Sequence, residues 1–419
     1  MSNGQSVRRS LPRYLPRLIV LLALTGASLR AQTFQVIYSF AGGSSAQHPI
    51  AGVTPDRHGN LYGTTAWGGG SSNGSGTAYE LQRTGSGFIY HQLHSFGNGL
   101  DGSFPWAGVT IGPDGSLFGT TYDGGTGQNG IVYQLRPPIT FCGSASCRWS
   151  ETILYNFTRG SDGGDPQGAV VFDQAGNLYG TNVNGGAGDV GVAYEMRRNG
   201  QGWSYQVIYP FTNGQDGGNP TALVFDGSGN LYGPAAAGGQ PGCTGFGCGT
   251  IFKLSPSQSG WIEQTLYSFH DGSDGSDPQG GVILDNAGNV YGSTCCGDGT
   301  GGTIFEISPS GGVWNFSLMY RYGGAGLGPW GNLVRDSAGN LYGASVMNGL
   351  YNNGVVFKLT PADGGWIYTS LHDFTGGSDG EWPEGGLTID SAGNIYGTTY
   401  QGGLQNCGEG CGVVYEITP

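Results

Sequence analysis

One arrangement of apolar and polar positions recurs seven times between residue 33 and the end of the sequence. Each copy opens with a short apolar run ending in Asp, as in Ala169-Val-Val-Phe-Asp173 and Gly281-Val-Ile-Leu-Asp285. A Gly-Asn-Leu-Tyr-Gly-Thr-Thr segment follows, starting at Gly59 and, with substitutions, at Gly115, Gly176, Gly229, Gly288, Gly339 and Gly393. After a Gly-rich stretch comes an apolar segment such as Gly191-Val-Ala-Tyr-Glu-Met196 or Gly354-Val-Val-Phe-Lys-Leu359. The copy closes with an aromatic-led run such as Trp261-Ile-Glu-Gln-Thr-Leu-Tyr-Ser-Phe269, then a Gly/Asp loop ending in Pro. Short β-rich runs separated by turn residues predict four strands per copy, A to D.

Each strand has a local signature. Strand A is apolar on consecutive residues, as expected for a strand buried on both faces. The Asp-x-x-Gly-Asn link predicts a tight A–B turn in which the Asp side chain accepts from nearby backbone N–H groups. That Asp stands at 56, 173, 226, 285, 336 and 390, with Gly112 in the second copy. The Gly after the strand B aromatic (63, 119, 180, 233, 292, 343, 397) is expected where a neighbouring blade approaches the backbone. Trp149, Trp203, Trp261, Trp314 and Trp366, with Phe88, start the D strands, and an aromatic at a fixed repeat position reads as packing.

A unit of 51–61 residues that cannot bury its own faces must stack on its neighbours. The prediction is an all-β, seven-bladed β-propeller of four-stranded antiparallel blades, forming one domain over residues 32–419. The last copy ends after strand C (Val413–Thr418), while Thr33–Phe40 matches the D strands ending at Phe96, Phe157, Phe211, Phe269, Tyr322 and Phe374. The N-terminal strand is therefore expected to complete the last blade and close the ring.

Composition refines this. The 86 Gly and 20 Pro in 419 residues would suggest disorder without a period, but here they punctuate strands. Residues 1–31 differ from the rest: Arg8, Arg9, Arg13 and Arg17 precede the apolar run Leu18–Leu24, then small residues, the pattern of a secretory signal peptide. It is too short to span a membrane, and a secreted or periplasmic location follows. Removing it takes away five Arg and no acid, leaving 11 basic against 29 acidic residues. Such a surface repels phosphate backbones, so nucleic acid is not an expected partner. Eight Cys fall in close pairs: Cys142 with Cys147, Cys243 with Cys248, Cys295 with Cys296, and Cys407 with Cys411. Disulfide staples suit an exported protein; a zinc site is the alternative, but the pairs lie in separate copies.

The unit Asp-x-x-Gly-Asn-Leu-Tyr-Gly-Thr-Thr, followed by Gly-Val-Val-Phe-x-Leu, Trp-x-x-x-x-Leu-Tyr-x-Phe and Gly-Ser-Asp-Gly-x-x-Pro, resembles the Gloeo/Verruco (GloVer) tandem repeat of exported bacterial proteins. The resemblance spans residues 33–419. It implies export but no assigned activity. Many members end in a cell-surface sorting anchor, a pattern this sequence departs from by ending at Pro419. The Asp-x-x-Gly-Asn-Leu-Tyr core also resembles sensor and NHL-type propeller repeats, which bears on fold and not on function.

The D-to-A and B-to-C loops of a propeller emerge on one face, and both are long here, so ligand binding is expected there. The D-to-A loops carry an Asp four residues before the Pro in five copies: Asp101, Asp162, Asp216, Asp274 and Asp379, with Ser45 and Ala325 in the others. Asp165 and Asp277 add carboxylates. Trp106, Trp330 and Trp382 flank the prolines, and Trp67, Tyr122 and Tyr400 begin B-to-C loops. Two readings stand: Asp as a turn former, or carboxylates and aromatics binding Ca²⁺ or sugar rings. No cofactor is expected; Ca²⁺ is the one ion the carboxylates suggest, though no Asp-x-Asp-x-Asp-Gly loop is present. The six His show no metal-binding spacing, and His91 and His94, three apart on a strand, are expected on opposite faces. No catalytic motif appears in its required context. The reading is a monomeric, non-catalytic binding or scaffold module for glycan or peptide. The alternatives are a lyase or glycosidase using rim carboxylates, or a structural envelope protein.

Overall fold

The computed structural model describes Met1 and residues 32–418, except 44, 71–73, 98, 139–148, 201, 241–242, 244–245, 271, 298–300 and 325–326. Apart from Met1, the proposed signal peptide lies outside the described residues. So do Cys142 and Cys147, and the disulfide expected between them therefore stands as an expectation from the sequence. Residues 32–419 form one compact unit, a seven-bladed β-propeller of antiparallel four-stranded blades. In the first blade the strands run A to D as Thr54–Pro55, Leu61–Thr65, Thr77–Thr84 and Gly87–Ser95. The fourth blade carries one extra short strand, Gly218–Pro220. Among the described residues no helix is long and apolar enough to cross a membrane.

Ring closure follows the predicted route. Thr33–Ser39 pairs antiparallel with Val413–Thr418, from Thr33 opposite Thr418 to Ser39 opposite Val413. It thereby becomes strand D of the blade whose other strands are Thr388–Ile389, Ile395–Thr399 and Val413–Thr418.

Local chemistry explains the repeated motif. In the A–B turn, Asp173 Oδ1 accepts from the N–H groups of Ala175 (2.9 Å) and Asn177 (2.8 Å), while Oδ2 accepts from Asn177 Nδ2 (2.8 Å) and the Tyr179 hydroxyl (3.3 Å). The first Thr of Gly-Thr-Thr ties one blade to the next: Thr64 donates to Ala107 O (2.8 Å), Thr120 to Gly168 O (3.2 Å) and Thr398 to Ala51 O (2.9 Å). The second Thr holds the start of the B-to-C loop, as Thr121 donates to Asp123 O (2.8 Å).

Three expectations change in detail. Strand A pairs over only two residues per blade; the residue before the ladder, such as Val170 or Leu333, is the fully buried one. The strand B glycines face their own blade. A Cβ on Gly63 would lie 2.4 Å from the Tyr79 hydroxyl, and Gly63 is paired directly with Tyr79 of strand C. The invariant small residue leaves room for a ring lying across the same sheet. Third, every C–D ladder contains a register shift, placed between the partners of Ala78 and Tyr79 in the first blade, so Leu93 is an extra residue. One extra residue reverses the alternation beyond it. His94 and His91 therefore fall on the same side of the strand, contrary to simple period-two counting.

The bulge also lets strand D touch both neighbours. The residue two before its closing aromatic faces the next blade, where it stacks on the residue six before that blade's closing aromatic. Five junctions are aromatic: Tyr38/Tyr90 (4.8 Å between centroids), Tyr155/Tyr205 (4.1 Å), Tyr267/Phe316 (4.4 Å), Tyr320/Tyr368 (4.3 Å) and His372/Phe34 (3.5 Å). The other two place Glu at the receiving position, opposite His94 as Glu151 and opposite Tyr209 as Glu263. The D-strand Trp residues pack on the preceding blade, as Trp203 on Phe118 and Trp261 on Tyr179. Their reading as packing agrees with this.

Candidate functional site: the loop-bearing rim

The rim is built on a repeated backbone distortion. The residue before the loop Pro takes a left-handed conformation in six copies: His48, Phe104, Asp165, Asn219, Asp277 and Trp382, with φ between 53° and 58°. A non-glycine residue in that region holds about 1–3 kcal/mol of strain, so its surroundings must over-determine it. They do. Phe104 N–H donates to Ser75 O of the preceding blade (2.8 Å), and Phe104 O accepts from Tyr122 N–H of the following one (2.9 Å). Trp382 bridges Asn353 O (3.0 Å) and Tyr400 N–H (2.9 Å), and His48 bridges Cys411 O (2.8 Å) and Ala66 N–H (3.0 Å). Asp277 does the same between Cys248 O (2.9 Å) and Cys295 N–H (3.2 Å), so four of the six strained residues are backbone staples between two blades. The next Pro packs on the Gly before the preceding strand C; a Cβ on Gly76 would lie 2.6 Å from Pro105 Cδ.

The D-to-A loop of one blade then meets the B-to-C loop of the next, through bridges Ser103–Asp123, Gly164–Asn184, Ser276–Cys296 and Glu381–Gln401. The two loop types share one face, as expected.

The five loop Asp residues occupy equivalent places and bond within their own turns. Asp101 accepts from Gly97 N–H (2.9 Å). Asp162 accepts from Thr158 N–H (3.0 Å), the Thr158 hydroxyl (2.5 Å) and Tyr155 (3.2 Å). Asp216 accepts from Thr212 N–H (2.9 Å), Gly214 N–H (3.2 Å) and Tyr209 (3.1 Å). Asp274 accepts from His270 N–H (3.1 Å) and Tyr267 (2.9 Å). Asp379 accepts from Thr375 through N–H (2.9 Å) and hydroxyl, and lies 3.1 Å from His372 Nε2. Burial alone raises Asp379, but the bonds from Thr375 and His372 outweigh it and hold the carboxyl below its ordinary range. Ser45 occupies the same place in the first loop, and Ala325 lies outside the described residues. Asp165 is bonded to Arg159 (3.0 Å) and Asn184 (2.7 Å), and Asp277 to Gln279 (2.7 Å).

The aromatics, in contrast, converge. Trp382 stacks on Tyr400 (6.5 Å), His48 stacks on the same ring (4.6 Å), and the Trp67 side chain lies beside the Tyr400 hydroxyl. Trp67 meets Phe104 edge to face (4.5 Å), and Trp106 stacks on Tyr122 (4.6 Å). These rings make an arc over blades seven, one and two, with Trp67 39% and Trp106 36% exposed. Trp330 lies outside the arc, and its buried indole N–H has no hydrogen-bond partner among the described residues. At the end of the arc, burial pushes the Glu384 carboxyl up to about 7. His48 and Phe104 escaped the sequence reading; their one signal was a bulky residue directly before a rim Pro.

Elsewhere, three of the four expected cysteine pairs, Cys243–Cys248, Cys295–Cys296 and Cys407–Cys411, are disulfides. The fourth, Cys142 with Cys147, falls in the segment outside the described residues. Being oxidised, the Cys295/Cys296 pair beside Asp277 offers no thiolate. On the opposite face a cavity of about 500 Å³ between blades three and four is lined by Asp173, Tyr179, Arg197, Gln206, Phe225 and Trp261, among others. A third group was invisible in sequence: His94, Asp101 and Glu151 come together between blades one and two. Burial, reinforced by the Asp101 charge, pushes Glu151 up to about 8.

Comparison with known proteins agrees with the fold. PorZ, an essential surface component of the type-IX secretion system of Porphyromonas gingivalis, superposes with a TM-score of 0.53 at 13% identity, over 92% of this chain and 48% of PorZ. A provisionally assigned glucose dehydrogenase of Thermus thermophilus gives a TM-score of 0.45 at 17% identity, over 75% of this chain and 96% of that one. A gluconolactonase of Xanthomonas campestris gives 0.41 at 13% identity, over 73% and 82%. At 13% identity the likeness to PorZ concerns fold alone. No curated protein matches the sequence. The Gloeobacter/Verrucomicrobia repeat matches residues 26–144, 144–325 and 296–419, and the chain belongs to that family.

Proposed function

We propose that this protein is an exported, non-catalytic binding module that takes glycan on the aromatic arc of its loop-bearing rim. The observation that carries the reading is the convergence of Trp382, Tyr400, His48, Trp67, Phe104, Trp106 and Tyr122 across three blades. Flat, partly exposed aromatic faces beside polar turns suit the apolar faces of sugar rings, and two-χ side chains lose little entropy when they bind. The backbone staples favour the same reading, because a preorganised rim keeps the cost of ordering low. Support for binding over carboxylate-based cleavage comes from the loop Asp residues, whose oxygens hold their own turns. Peptide is the second ligand class, and a purely structural envelope role has no particular residue arrangement in its favour.

The test is a glycan array probed with residues 32–419, with and without Ca²⁺, alongside Trp106→Ala/Trp67→Ala. Retention of a glycan class by the parent and its loss by the double variant supports the reading. An array with no hits, or turnover of a polysaccharide abolished by Asp→Asn changes in the loops, sinks it.

A further inference from the structure

The blade one–two junction departs from the D-strand pattern at its receiving position, where Glu151 stands in place of a ring, while His94 keeps an imidazole at the other position, as His372 does in blade six. Where five junctions stack two rings, this one sets His94 against Glu151. At the other departing junction, polar contacts within the protein engage both residues: Tyr209 donates to Asp216 (3.1 Å) and Glu263 accepts from Thr265 (2.9 Å).

At the first junction three ionisable side chains from separate elements meet. His94 Nε2 lies 3.7 Å from Glu151 Oε2 and 3.9 Å from Asp101 Oδ2. Both separations are too long for good hydrogen bonds. One ligand atom from each of the three residues falls within 4.8 Å of the others. A tetrahedral ion with bonds of about 2.0–2.2 Å sets its ligand atoms roughly 3.4 Å apart, a few tenths of an ångström (~0.3–0.5) inside the two His94 separations, so a small closure of the group would seat the ion. Glu151 Oε1 is buried with no hydrogen-bond partner among the described residues. The three side chains come from three elements (strand D of blade one, its D-to-A loop, and strand D of blade two), so the propeller itself assembles the group.

We propose that His94, Asp101 and Glu151 bind one first-row divalent cation of the Zn²⁺ class, cross-linking blades one and two. One imidazole and two carboxylates suit Zn²⁺ and its neighbours, with a fourth position for water. Ca²⁺ fits poorly, since it takes six to eight ligands and all of them oxygen. The ion would do for this junction what ring stacking does for five others, holding two D strands together.

The test titrates untagged residues 32–419 with Zn²⁺ by calorimetry, and with Co²⁺ by visible absorption, whose bands report tetrahedral coordination. One ion per chain is expected. Glu151→Gln, nearly isosteric, is expected to weaken binding by more than about tenfold, the loss that removing even an outer-shell partner produces. His94→Gln should do the same and abolish the tetrahedral Co²⁺ spectrum. Glu263→Gln, at the equivalent place in blade four, should bind like the parent. Circular dichroism checks that each variant is folded, and Glu151→Gln alone decides should His94→Gln misfold. Absence of stoichiometric binding by the parent, or binding that a folded Glu151→Gln leaves unchanged, overturns the proposal.

Discussion

Single residues in this ring are constrained by close approach more than by chemistry, and that is measurable at glycine. Gly76 has φ +98°, and a Cβ there would meet Pro105 Cδ at 2.6 Å and Thr65 O at 2.4 Å. Gly115 has φ +78° with nothing within 4 Å. Gly76→Ala should therefore destabilise by about 2–4 kcal/mol through strain plus a clash between blades. Gly115→Ala should cost only about 1–2 kcal/mol, the left-handed penalty alone; equilibrium urea unfolding of the two variants measures both. Glu384 gives a pH signature. Its buried carboxyl holds a proton up to about pH 7 in the folded state, whereas an exposed Glu loses it near about 4.3. Folding then binds protons between those values, so stability falls as pH rises through that window, by up to about 1.4 kcal/mol per unit. The gap between melting temperatures at pH 5 and pH 8 should narrow in Glu384→Gln, with the buried Glu151 still contributing its own share, and an unchanged gap would refute the assignment.

At the scale of elements, the sequence carried strands B, C and D because each has its own punctuation: Gly-Asn before B, Gly before C, an aromatic at each end of D. Strand A is shorter than its apolar run. Its apolar run includes residues such as Val170 that are buried without pairing in the ladder. The bulge at Leu93 and its equivalents was illegible, since one inserted residue leaves composition unchanged while reversing every face beyond it. That is why His94 was misplaced and the His94–Asp101–Glu151 group went unseen. The N-terminal strand was legible by elimination, seven C strands requiring seven D strands, and it makes a firm prediction. Removing residues 32–41 exposes the edge of Val413–Thr418 and the Tyr415 ring that Phe34 packs against. The truncated protein should lose its cooperative melt and aggregate, as followed by circular dichroism and light scattering. Melting like the parent would contradict ring closure by this strand.

For the whole molecule, closure does more than hide two edges. It brings His48, Trp382 and Tyr400, which lie near opposite ends of the sequence, against Trp67. The tryptophans were legible one at a time from their places beside loop prolines and after strand B. Their merger into one arc was not, because it exists only once blade seven meets blade one. The rim arc and the cavity between blades three and four lie on opposite faces, which makes them separable. The most direct measurement is the affinity of residues 32–419 for a glycan retained on the array, compared between Trp106→Ala/Trp67→Ala and Ser257→Trp, a substitution at the cavity lining. The rim account predicts that the first loses more than about 2 kcal/mol of binding, as expected on truncating aromatic anchors, while the second binds like the parent. Loss in Ser257→Trp with full binding by the rim variant would contradict it.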